Sequence, residues 1–63
     1  MISISKLNGK QIVLNCELIE TIEALPDTTI TMTNGRKFIT TDSVDDVIDK
    51  IIKYKNKIFT KYQ

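Results

Sequence analysis

The sequence contains no histidine and no tryptophan, and only one cysteine, one proline and two glycines. Each shortage excludes something. Without histidine, Cys16 lacks the imidazole that usually activates a thiol, and a free thiol is mostly protonated near neutral pH. One cysteine forms no internal disulfide, and with no histidine beside it there is no zinc-type ligand set. Gly9 and Gly35 stand alone, so no glycine-rich phosphate loop is present. No apolar run approaches the roughly 18 residues of a membrane-spanning helix. The N-terminal stretch also lacks the basic start, apolar segment and small-residue cleavage site of a signal peptide. A lone cysteine without a secretion signal fits the reducing cytoplasm, where its expected role is that of a small buried hydrophobe.

What is present is small and balanced. A chain of 63 residues is at most one domain, here 1–63. At this size folding buries only about 60% of the unfolded surface, so the core alone is marginal. Well-formed local structure and self-association are the remaining ways to stabilise it. Nine basic residues against eight acidic ones leave a net charge of +1, too little for an overall field toward nucleic acid or membrane. The 41% hydrophobic and 27% charged content belongs to a folded globular chain rather than a disordered one.

The pattern changes character at residue 42. Before it lie short strands; after it lies one helix. Ile2-Ser3-Ile4-Ser5 alternates apolar and polar, the period of a half-buried strand. Asn8-Gly9 then predicts a type I′ hairpin turn, with positive φ at both central residues, returning through Gln11-Ile12-Val13-Leu14. Asn15-Cys16-Glu17 reads as a bend. A third strand is expected over 18–25, with Leu18, Ile22 and Ala24 facing inward and Ile19 outward. Pro26-Asp27 supplies a turn. Thr29-Ile30-Thr31-Met32-Thr33 alternates strictly, with Ile30 and Met32 inward. Asn34-Gly35 repeats the hairpin signal, and 36–41 returns as a fifth strand carrying Phe38 and Ile39. The expected fold is α+β: an antiparallel sheet of about five strands over 1–41, then one amphipathic helix over 43–62.

Ser43 starts that helix with capping-box spacing to Asp46. Apolar residues at Val44, Val47, Ile48, Ile51, Ile52, Ile58, Phe59 and Tyr62 follow the helical period. Asp42, Asp45, Asp46 and Asp49 sit near the amino end and Lys50, Lys53, Lys55, Lys57 and Lys61 toward the carboxyl end, matching the macrodipole. The acidic group therefore reads as helix-start charge rather than a metal cluster. Glu17, Glu20 and Glu23, three apart in a strand region, read as solvated rim charges. A helix from Val44 to Tyr62 would run roughly 28 Å, against roughly 17 Å for a five-residue strand. Ile58, Phe59 and Tyr62 are therefore expected to overhang the sheet and to carry self-association, as a dimer or tetramer.

No catalytic residue, cofactor site or metal site emerges, and the chain is read as a non-enzyme. The hairpin cations Lys6, Lys10, Arg36 and Lys37 are candidates for partner contact, Lys10 and Arg36 foremost. A small β-rich RNA- or DNA-binding regulator is the alternative reading. One arginine and no aromatic stacking platform weigh against nucleic acid. The helix lysines with Ile58 and Phe59 also suit peripheral contact with an anionic membrane.

One combination of motifs is more specific. It comprises Leu7-Asn8-Gly9-Lys10, Val13-Leu14-Asn15 and Glu17-Leu18-Ile19-Glu20-Thr21-Ile22-Glu23. Pro26-Asp27-Thr28, Ile30, Asn34-Gly35-Arg36-Lys37 and Ser43-Val44 follow in order. Together they resemble the FlbD/SwrD family of bacterial flagellar and swarming-motility proteins over about residues 1 to 59. Two positions depart from the family pattern: Asp42, where members often carry Glu, and Cys16, where a proline, alanine or other small residue is expected. The resemblance implies a cytoplasmic accessory protein that supports swarming by raising flagellar motor power. It also implies action on the MotA/MotB stator and a location reaching the cytoplasmic face of the membrane near the motor. The family brings no established catalytic or binding residues to these positions.

Overall fold

The structure, a computed structural model, describes residues 1–24 and 26–60, the last two by their helical backbone. The order is β1 (Ile2–Ser5), β2 (Gln11–Leu14), a 3₁₀ turn (Cys16–Leu18), β3 (Ile19–Ala24), β4 (Thr28–Met32), β5 (Lys37–Thr40) and α1 (Val44–Thr60). This is the expected α+β arrangement, with the five strands divided between two antiparallel sheets: β1 with β2, and β3-β4-β5. One bridge, Lys6 to Thr40, joins them. Beside it the Ser5 carbonyl accepts from the Thr41 amide at 3.0 Å and from the Thr40 hydroxyl at 2.7 Å.

Both hairpins close differently from the type I′ expectation. Among the described residues no non-glycine residue has positive φ, so Asn8 and Asn34 cannot occupy a type I′ turn. The loops hold three residues rather than two. Gly9 N bonds Lys6 O at 3.0 Å and Lys6 N bonds Lys10 O at 2.8 Å. Gly35 N bonds Met32 O at 2.9 Å and Met32 N bonds Arg36 O at 2.8 Å, the same pattern. A turn followed by a left-handed glycine forming a bulge is the three-residue solution. Gly9 and Gly35 take that conformation at φ 85° and 87°. Each asparagine carboxamide accepts from the amide two residues on, Lys10 or Arg36, at 3.0 Å. Asparagine before glycine therefore braces the turn from its side chain.

The third strand also differs. Asn15 caps the 3₁₀ turn by accepting from Glu17 N at 3.1 Å, so Leu18 belongs to that turn and is exposed. The strand starts at Ile19, and its register against β4 shifts between Ile19 and Thr21. The extra residue resets the alternation. Ile19 and Ile22 thus both pack on the core, whereas Ala24 is exposed. Glu17, Glu20 and Glu23 are exposed. Leu25, which the sequence placed at the end of this strand, lies outside the described residues.

Ile2 and Ile4 of β1, Leu14, Cys16, Ile30, Met32 and Val47 form the core. Ile30 and Val47 are fully buried and Ile4 nearly so, each burial worth about 1.5–3 kcal/mol over exposure. Ile12, Ile19, Ile22, Phe38, Ile51 and Tyr54 pack around them. The helix lies against β1 and β3. Ser43 caps it, its hydroxyl accepting from Asp46 N at 3.0 Å.

Asp42 joins three elements just before the helix. Its Oδ2 accepts from the Ser5 amide at 3.2 Å and from Lys50 Nζ at 3.1 Å. Thr40 Oγ1 lies 3.1 Å from the same oxygen and 2.7 Å from Ser5 O, and its single proton serves one of the two. Lys50 Nζ also donates to Ser3 O at 2.7 Å, tying α1 to β1. Burial by itself would raise the Asp42 carboxyl pKa. The Lys50 ammonium, with the Ser5 amide and Thr40 hydroxyl, outweighs burial and holds it below the ordinary carboxylate value.

Candidate functional site

The two hairpins place their basic residues in one region. Residues 1–16 and 28–41 hold Lys6, Lys10, Arg36 and Lys37 and none of the eight acidic residues. The Lys6–Thr40 bridge ties the beginning of the first turn to the end of β5. Beyond that bridge, turn and strand separate around a shallow groove of about 500 Å³ lined by Lys6, Leu7, Asn8, Arg36, Lys37, Phe38 and Ile39. Lys10 is exposed at the turn but does not line the groove, so of the two foremost contact candidates the structure brings only Arg36 into it. Lys6 and Lys37, secondary in the sequence, join it.

The Arg36 guanidinium sits 5.4 Å from the centroid of the Phe38 ring, a cation–π contact. This pair forms a ridge. Beyond it a second groove of about 320 Å³ runs past Val13, Leu18 and Met32. Val13 is 67% exposed and Leu18 49%, so this second groove presents apolar side chains beside Asn15, Thr33 and Asn34.

The helix divides its apolar residues between two faces. At 100° per residue, Val47, Ile51, Tyr54 and Ile58 form a narrow stripe turned to the sheets. Ile58 is half-buried but lies outside the set packed on the core. Ile48 and Ile52 stand about 100–140° around from Val47 on the same wheel. They are 42% and 51% exposed. The sequence reading merged them with the core stripe. The signal that separates them is adjacency: 47-48 and 51-52 are neighbours, and both members of such a pair cannot face one sheet. Of the expected self-association residues, Tyr62 and the side chain of Phe59 lie outside the described residues.

The helix lysines are partly engaged. Lys50 pairs with Asp42, Lys53 with Asp49 at 2.9 Å, and Lys55 with Glu17 at 3.7 Å. The Asp49 carboxylate raises the Lys53 pKa. Among the described residues the four hairpin cations form no ion pair. Asp45, Asp46 and Asp49 are exposed, and among the described residues no group of three potential ligands is disposed to hold a metal. Cys16 is buried in the core, away from the groove. The groove thus offers cations, apolar walls and amide groups: the means to bind, with no nucleophile–base pair among its lining residues.

Among the described residues no helix is long and apolar enough to cross a membrane. The model of the family FlbD, described as flagellar and swarming motility proteins, matches residues 1–59. Neither a curated protein nor a solved structure matches the chain.

Proposed function

The chain belongs to the FlbD family of flagellar and swarming motility proteins, and from that membership we propose that it acts by contact, without catalysis, on the flagellar motor. The family match over 59 of 63 residues carries this reading. The motor component it acts on is the MotA/MotB stator, and its effect is to raise motor power. It works in the cytoplasm, at the membrane face where the stator is accessible from inside. A chain this small supplies surfaces rather than a reaction chamber, and the described surfaces divide by chemistry: a basic groove at the hairpins and an apolar flank on the helix.

Self-association belongs to the same reading. Ile48 and Ile52 form an exposed apolar row on a domain whose own core is minimal. The helix therefore offers, through Ile48 and Ile52, the face on which a second copy packs, while Ile58 stays on the stripe turned to the sheets. Deletion of the gene should reduce swarming, and normal swarming in the deletion strain refutes the proposal. In the alternative, a small RNA- or DNA-binding regulator, the unpaired hairpin cations would contact phosphates. A titration with single-stranded and duplex oligonucleotides across a salt series separates the two. Affinity falling steeply with salt favours the regulator, and no measurable binding favours the motor-contact reading.

A further inference from the structure

The geometry points to the groove between the first turn and β5 as a docking site for an acidic peptide segment with apolar side chains between its carboxylates. The first support is charge. The two hairpins concentrate four of the nine basic residues and none of the acidic ones, so a chain of net charge +1 carries a locally cationic surface. Among the described residues these four cations have no carboxylate partner, whereas Lys50, Lys53 and Lys55 each have one. The nearest acid in sequence, Asp42, is committed to Ser5 N and Lys50.

The second support is the lining. Lys6, Arg36 and Lys37 line the groove together with Leu7, Phe38 and Ile39. Leu7 is 57% exposed and Ile39 44%, so the apolar contribution faces solvent. Cations and apolar side chains lining one groove match carboxylates interspersed with aliphatic or aromatic residues. They match nucleic acid poorly. Base stacking needs open aromatic faces, and the one aromatic in the groove, Phe38, already has Arg36 over its ring. A lone arginine also provides only one bidentate phosphate fork.

The site deepens the motor-contact reading by giving the chemistry a protein partner presents, and it rests on that reading for its biological partner. Its test needs only the purified chain. A random dodecapeptide display library is panned on the full protein, and the consensus peptide is synthesised and titrated. Recovered peptides should be enriched in Asp and Glu interspersed with Leu, Ile or Phe. The double charge reversal K6E/K37E should weaken the consensus peptide about tenfold, while Lys53→Gln on the helix leaves its affinity unchanged. Far-UV circular dichroism confirms that each variant is folded. The inference is overturned by a library yielding no binders or binders without acidic bias, or by consensus binding indifferent to K6E/K37E. It is equally overturned if an oligonucleotide of the same charge binds more tightly through Lys6 and Lys37. Panning and the deletion phenotype fail separately: an empty library leaves the motility role standing, and normal swarming leaves the groove's binding intact.

Discussion

Replacing Asp42 should cost more than its position ahead of the helix suggests. In Asp42→Ala the Ser5 amide loses its acceptor and Lys50 loses its counter-ion. A hydrogen bond to a charged acceptor is worth about 1.5–3 kcal/mol, and the partly buried Ser5 contact falls at the lower end. The Lys50 side chain is 38% exposed, so solvent screening reduces its share to about 0.5–1 kcal/mol. Thr40 adds little, because the shorter contact to Ser5 O competes for its single proton. The sum is about 2–3 kcal/mol. A domain of this size has total stability of roughly 3–9 kcal/mol, so the loss is a large fraction of it. Asp42→Asn keeps an acceptor for Ser5 but not the charge, and should cost about 1 kcal/mol. The native carboxyl has a lowered pKa, so its contribution is fully present above the unfolded value of about 3.9. It disappears as pH falls through the lower native value. Urea unfolding followed by far-UV circular dichroism, at one fixed protein concentration, measures the difference. The gap between wild type and Asp42→Ala should be wide at pH 7 and narrower at pH 3. A gap below about 0.5 kcal/mol at pH 7, or one of equal width at both pH values, would refute this account of the joint.

Three further outcomes follow from the geometry. Gly35→Ala should destabilise by about 1–2 kcal/mol, because φ is 87° and no neighbour lies within 4 Å of the new Cβ, leaving backbone strain as the whole cost; urea midpoints check it, and Gly35→Asn should cost less. Ser43→Ala removes the acceptor for Asp46 N and should lower stability by about 1 kcal/mol, read in the same titration. The pair Ile48→Glu and Ile52→Glu should reduce the mass measured by sedimentation equilibrium to that of the 7.2 kDa monomer while circular dichroism stays unchanged. A wild-type mass already monomeric at micromolar concentration removes self-association from the account.

Local patterns carried much of the fold. The Thr–Ile–Thr–Met alternation of β4 and the Ser43-capped helix were legible because each depends on residues within a few positions. The β3 reading failed locally too, since a bulge after Ile19 resets a period-two pattern without leaving a glycine to mark it. Both Asn-Gly pairs correctly announced hairpins, but loop length decides the turn, and it depends on where the ladders close. The groove was least legible. Lys6 and Lys37 line one groove because a bridge joins Lys6 to Thr40, 34 positions apart, and Asp42 finds Ser5 at a separation of 37. A sequence shows which cations are available; strand order determines which of them share a surface.

The central claim, a family member acting by contact on the motor, is tested most directly by torque. Tethered cells of a deletion strain should carry normal numbers of flagella yet rotate with reduced torque, restored by the wild-type gene. Torque indistinguishable from the parent strain, or a defect explained by missing flagella, would contradict it.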